Sequence, residues 1–334
     1  MTRVLAYRFS AFGDVAMTAP VFREFLEQNP DVEIIMVSRK NFESLFTGIP
    51  NVIFKGINLD DYKGFFGLRK LADELINEFH PDLIANLHDV IRTKILDKIY
   101  RRRGLKVFKI NKGKEEKEQL TDVWNLNKKQ LKKTVERYAD VFRDMGFKVE
   151  LSHQLRPAAI EKSGIGFAPF AQHRGKMLPL EKSYELARIL SQKHPIYFFG
   201  GGEKETKVLQ RWEKEIPNTF SLSGKLSLIE ELNKISELEL MISMDSANMH
   251  LASLMGTRCV SVWGQTDPYA GFLGFGQSEN DVVQVKDLTC RPCSVFGDRE
   301  CFRGDWACLE ELKIQKIVEK VDKNSFPDLG SCLI

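Results

Sequence analysis

The run Ser243-Met244-Asp245-Ser246-Ala247-Asn248-Met249-His250 places a carboxylate, hydroxyls and an amide between two apolar stretches, residues 238–242 and 251–255. That spacing predicts a strand handing over to a helix. In an open α/β sheet the carboxyl ends of strands are where ligands bind, and the free N–H groups of a helix start favour phosphates. An acid among them suits sugar or ribose hydroxyls better than the phosphate itself. Asp14, after Ser10-Ala11-Phe12-Gly13, stands at another predicted helix start, either as a capping residue or as an ionised carboxylate able to take a proton. Gly200, Gly201 and Gly202 after Phe199 permit close backbone approach, with Glu203 in reach of a nucleotide, or form a simple tight turn. Thr266 and Asp267 head a further strand-end loop. His250, beside Leu251 and Leu254 on one helical pattern, reads as a structural histidine.

Elements that could position these residues alternate along the chain. Strand patterns at 4–9, 33–37, 83–86 and 106–110 are interleaved with helical patterns at 15–28, 65–79 and 130–145. A second series has strands at 165–168, 196–199, 219–222, 238–243 and 259–263, with helices at 180–193, 203–215, 228–236 and 248–255. Such alternation predicts βαβ units and parallel sheets. The expected fold class is therefore α/β, with two Rossmann-like domains over 1–157 and 158–334 facing a cleft. The polar segment 152–163 serves as linker, and a last helix at 310–320 is free to fold back on the first domain.

The chain has 334 residues, 43% of them apolar and 28% charged, which is a soluble globular composition with room for two cores. It has no apolar run long enough for a bilayer. Its first residues lack a signal-peptide core, so a cytoplasmic location is expected. The net charge of +3 is uneven, with the positive excess in the first half. The run from Lys98 to Lys117, including Arg101, Arg102 and Arg103, is either a solvated face or a surface for an anionic acceptor or anionic lipid. Nucleic acid is disfavoured by the scarcity of interleaved aromatics. G-x-G-x-x-G after the first strand and G-x-x-x-x-G-K-[ST] are both absent, which argues against dinucleotide oxidoreductases and P-loop enzymes. Cys259 and Cys332 stand alone, while Cys290-x2-Cys293-x7-Cys301-x6-Cys308 is a cluster of free thiols or, alternatively, a structural zinc site.

Five motifs occur in an order that resembles the heptosyltransferases of glycosyltransferase family 9. They are Ser10-Ala11-Phe12-Gly13-Asp14-Val15, Lys176-Met177-Leu178-Pro179-Leu180-Glu181, Phe199-Gly200-Gly201-Gly202-Glu203, the run from Asp245 to Ala252, and Gly264-Gln265-Thr266-Asp267-Pro268. The resemblance spans nearly the whole chain. It implies a GT-B fold and inverting, cofactor-free, metal-independent transfer of a sugar, by default heptose from ADP-heptose, onto a lipopolysaccharide-core or related glycolipid at the inner face of the inner membrane.

Carried over residue by residue, the resemblance makes Asp14 the base and Lys176 the cation on the donor phosphates. Gly201, Gly202, Glu203, Asp245, Ser246, Ala247, Asn248 and Thr266 would line the donor. Ser10, Arg101 and Arg102 are the expected acceptor contacts on the basic domain. Leu178 replaces a common aromatic and Ser246-Ala247 a common Thr-Gly pair, so another nucleotide sugar stays open as donor. Two other classes fit parts of the chain. A nucleotide-sugar 2-epimerase shares the two-domain architecture, and a basic, zinc-stabilised docking protein would use Arg101–Arg103 and the cysteines.

Overall fold

The computed structural model describes residues 1–156 and 162–322. The expected boundary at 157/158 and Cys332 lie outside them. The chain divides into two compact units. The first comprises Met1–Gly113 and Lys132–His153, and the second Lys114–Leu131 with the chain from Gln154 onward.

In the first unit the chain runs β1 (Thr2–Tyr7), α1 (Phe12–Ala16), α2 (Thr18–Gln28), β2 (Val32–Arg39), β3 (Val52–Ile57), α3 (Gly64–Phe79), β4 (Leu83–Asn86), α4 (Ile91–Arg102) and β5 (Lys106–Lys109). Then α5 (Lys114–Leu120) departs to the second unit, and α6 (Thr134–Asp144) returns to the first. Residues 114–131 thus cluster with the second unit, although they fall within the span read as the first domain. The strands form one parallel sheet in the order β3-β2-β1-β4-β5. Val4, Leu5, Ala6, Ile34, Ile35 and Ile84 are fully buried, as strands covered by helices on both faces require. Phe25 of α2 stacks on Phe142 of α6 with ring centroids 4.5 Å apart, locking those helices together.

This strand order has a reversal. The chain goes from β1 outward to β2 and β3, then returns to the other side of β1 for β4 and β5. The carboxyl ends of β1 and β4 flank the point where the connections diverge, which is where such sheets open a crevice. The loop after β1 carries Ser10 and Asp14, and the turn after β4 carries His88. That turn is pinned from below. Asn86 Oδ1 accepts the N–H groups of His88 and Asp89 at 3.0 and 2.8 Å. Its Nδ2 donates to both oxygens of buried Asp97, which also accepts from the Tyr7 hydroxyl.

The second unit continues with β6 (Ile165–Ala168), α7 (Leu180–Leu190), β7 (Ile196–Phe198), α8 (Glu203–Glu215), β8 (Thr219–Ser221), α9 (Leu228–Ser236), β9 (Leu240–Met244), α10 (Ala247–Leu254), β10 (Arg258–Val262), β11 (Val282–Val283), α11 (Ala307–Glu310) and α12 (Gln315–Asp322). Its parallel sheet has the order β11-β10-β9-β6-β7-β8, so the same reversal falls between β6 and β9. The loops leaving those two strands are the ones bearing Lys176 and Asp245. The last described helix belongs to the second unit. Ile317, Val318 and Val321 of α12 are buried in the second unit's own core, and Arg258 Nη2 donates to Lys320 O at 2.8 Å.

Candidate functional site

Around the β6/β9 switch point the Lys176 ammonium lies 2.8 Å from Asp245 Oδ2, with the two side chains 15% and 4% exposed. Asp245 is fixed by its own N–H, which donates to Val262 O at 3.0 Å. Ser246 takes the N-cap position of α10 in extended backbone, its hydroxyl 3.1 Å from Ser243 Oγ. Ala247 and Asn248 begin the helix half-buried, and first-turn amides have no intrahelical acceptor. A half-buried cation, a buried acid and helix-start N–H groups thus share one strand-end site.

The loop after β10 closes on the Lys176 loop. Gln265 N donates to Gly175 O at 2.7 Å, and a Cβ at Gly175 would sit 2.1 Å from Gln265 Oε1, so only glycine allows this approach. Thr266 is fully buried and, among the described residues, its Oγ1 has no hydrogen-bond partner. A buried orphan hydroxyl is costly, and a ligand hydroxyl or phosphate would satisfy it. His250 is buried in α10.

Arg291, which sequence reasoning missed, holds this loop from behind. Its guanidinium is buried and donates to the carbonyls of Gly264, Val285 and Thr266 and to Gln284 Oε1, with Asp267 at 3.7 Å. The cysteines around it are free thiols. Burial pushes the Cys308 thiol up to about 12 and raises Cys293. Among the described residues no group of three or more His, Cys, Asp and Glu could hold a metal ion. The Arg291 fork organises the loop.

The glycine loop after β7 needs its glycine at 202, where φ is +81° at the N-cap of α8. At Gly201 an added Cβ would meet nothing within 4 Å. Glu203 is exposed and pairs with Lys207 one turn on. The carboxylate turned onto the loop is Glu205, whose Oε2 accepts Gly201 N at 2.8 Å. Sequence reasoning chose the first acidic residue of the helix, although Glu205 offers the same charge two positions later.

In the first unit Asp14 is the third residue of α1, and its Oδ2 accepts Ala11 N at 3.3 Å. The same oxygen lies 2.7 Å from Arg8 Nη2. Capping and an ion pair therefore coincide on one carboxylate that keeps 27% of its side chain exposed. Ser10 Oγ is 3.4 Å from His88 Nε2. Burial, followed by Arg8, Lys112 and Arg92, pushes His88 down to about 3, so the ring is neutral at physiological pH.

Arg101 and Arg102 are not part of this group. They end α4, 12 residues that start at the β4 carboxyl end and run about 18 Å toward the amino ends of the strands. Arg101 Nη2 donates to Val107 O there. Charge density alone suggested them, and the positively charged residues near His88 are Arg8, Arg92 and Lys112 instead.

The depressed His88 value has a measurable consequence. The unfolded chain protonates this ring near 6.5 and the folded one only near 3, so stability is fully present above pH 6.5 and is lost as pH falls toward 3. At pH 5 the loss is roughly 1 to 2 kcal/mol. Urea unfolding at pH 7 and pH 5 should show that difference in the wild type and less of it in His88→Gln; equal differences would contradict the assignment.

Comparison with known proteins places this arrangement in a family. The model of glycosyltransferase family 9 (heptosyltransferase) matches residues 106–301, more than half of the chain. The chain belongs to glycosyltransferase family 9. Lipooligosaccharide heptosyltransferase 2 of Campylobacter jejuni is 25% identical over 323 residues, covering 92% of this chain and 93% of the relative.

Among solved structures, a family 9 glycosyl transferase from Veillonella parvula superimposes with a TM-score of 0.72 at 17% identity, covering 96% of each chain. E. coli heptosyltransferase WaaC with ADP-2-deoxy-2-fluoro heptose gives 0.69 at 17% identity, covering 97% of this chain and 100% of that one. These likenesses establish the GT-B fold. Family 9 membership makes the protein a glycosyltransferase and sets aside the epimerase and the non-catalytic docking readings.

Proposed function

We propose that this family 9 enzyme transfers a heptose from ADP-heptose to a lipopolysaccharide-core or related glycolipid acceptor, inverting the anomeric centre without a metal ion. The observation that carries the reading is the pairing of Lys176 with buried Asp245 beside the half-buried start of α10. Displacement of a nucleoside diphosphate from an anomeric carbon builds negative charge on the leaving phosphates. A fixed ammonium and helix-start N–H groups stabilise that charge where it develops. Asp245 is positioned to bond a sugar hydroxyl, and the orphan Thr266 hydroxyl offers a further donor contact.

On the first unit Asp14 takes the proton of the acceptor hydroxyl as its oxygen attacks the face opposite the leaving group. Ser10 and His88 border that carboxylate and are the acceptor-side contacts in this reading. A glycolipid acceptor would bring the enzyme to the cytoplasmic face of the inner membrane as a peripheral protein. No helix among the described residues is long and apolar enough to cross a membrane.

A panel of ADP-heptose, other ADP-sugars, UDP-sugars and GDP-sugars, each offered with a heptose-free lipopolysaccharide acceptor, tests this. The expected result is acceptor-dependent release of ADP from ADP-heptose, a product of inverted anomeric configuration by NMR, and a rate unchanged by EDTA. Turnover of a different donor would revise the sugar. Loss of the rate in EDTA would remove the metal-independent mechanism.

A further inference from the structure

Arg8 is a buried cation with more fixed partners than capping or packing requires. The residue is 6% exposed. Its backbone is tied to β2, since its carbonyl accepts Ser38 Oγ and its N–H donates to Val37 O. The guanidinium is held from two further elements. Nη1 donates to Leu87 O, in the turn after β4, at 2.6 Å, and the group lies 5.6 Å from the ring centroid of Tyr138 on α6. Its remaining terminal nitrogen, Nη2, is 2.7 Å from Asp14 Oδ2. Tyr138 also donates its hydroxyl to the Asp14 carbonyl at 3.3 Å, so the same aromatic braces both members of the pair.

We propose that Arg8 is a positioning residue for the transfer reaction, holding the Asp14 carboxylate in the orientation in which it takes the acceptor's proton. The proposal rests on Asp14 being the base. In that step the acceptor O–H breaks and its proton passes to the carboxylate. The oxygen's electron pair forms the bond to the anomeric carbon, and the bond from that carbon to the diphosphate breaks, its pair leaving on the nucleoside diphosphate. Asp14 Oδ2 also accepts Ala11 N at 3.3 Å, and α1 is five residues long. A carboxylate on so short a helix needs a rigid partner to keep its rotamer. A misplacement of about 1 Å costs a proton transfer on the order of 10²-fold. Lysine would supply the charge but not the fork that reaches Leu87 O and Asp14 together.

The test is a double-mutant cycle on the full-length enzyme, with the donor and acceptor that the wild type turns over in the panel above. Arg8→Met should lower kcat by about 50-fold or more with donor KM within about twofold, and Arg8→Lys should lose about tenfold. In an Asp14→Asn background Arg8→Met should cost nothing further, because its effect acts through the carboxylate it holds. A kcat for Arg8→Met within threefold of wild type overturns the proposal. So does an undiminished Arg8→Met penalty in the Asp14→Asn background. Near-normal turnover by Asp14→Asn alone removes the base reading itself, and the single variant reports that separately. Should Arg8→Met fail to give a cooperative melt, Arg8→Lys, which keeps the charge, carries the same comparison.

Discussion

Asp14→Asn should lower kcat by about 10³-fold, or roughly 4 kcal/mol of transition-state stabilisation, while leaving nucleotide-sugar affinity within twofold. In the proposed reading the donor contacts belong to the second unit's loops, so the loss should fall on kcat. Asparagine is nearly isosteric and still accepts hydrogen bonds from Ala11 N and Arg8, but it cannot accept the acceptor's proton. It also leaves the Arg8 guanidinium without a counter-charge. Because Asp14 keeps 27% of its side chain in solvent, water covers part of that cost, and the melting point should fall by only a few degrees.

Asp14→Glu separates position from chemistry. It retains a carboxylate but moves it by one methylene, and should fall between wild type and Asp14→Asn. Steady-state kinetics with isothermal titration of the nucleotide decide the matter. A folded Asp14→Asn protein that turns over at near the wild-type rate would show that another group takes the proton.

How much of this was legible depends on how locally each feature is encoded. The Asp245 loop was legible because its polar residues interrupt two apolar runs, and the order of the two runs is that of strand then helix. Strands β6 and β9 of the second sheet were equally plain, since burial on both faces leaves short, mainly apolar stretches, whereas the two-residue β11 was not read. Strand β3 was missed because it is half-exposed and carries Lys55 and Gly56 in a short run. Helix α4 was missed because its basic residues dominate the eye, although Leu96, Ile99 and Tyr100 form its buried stripe. Treating that segment as a charge run also left open where Arg101 and Arg102 lie, since only the helix shows which ends of the strands they reach.

The supporting residues were illegible for a different reason. Arg8 meets Leu87 from 79 positions away, and Arg291 organises residues 264–267 from more than 20 positions away. No spacing rule links them. Only strand order brings the ends of β1 and β4, or of β6 and β9, side by side.

The Lys176–Asp245 pair allows binding and stability to be separated. Lys176→Met leaves a carboxylate that is 4% exposed without its cation. Breaking a buried pair from one side costs about 3 to 5 kcal/mol, so the melting point should drop sharply, and donor affinity should fall by about 10²-fold as the charge on the diphosphate is lost. Asp245→Asn strands the lysine instead, but Lys176 is 15% exposed and can reach solvent, so its stability cost should be smaller.

Combining the two substitutions removes both charges and should restore much of the melting temperature. Donor binding should stay weak, since neither phosphate charge nor sugar hydroxyl has its partner. Thermal melts with and without the nucleotide separate these effects, because a ligand that binds the folded state raises its apparent stability. The double variant should melt near wild type alone yet show almost no shift with ADP at concentrations that shift the wild type by several degrees. If the double variant regained the ADP shift along with its stability, the pair would be a structural ion pair, and the diphosphate would have to be held elsewhere.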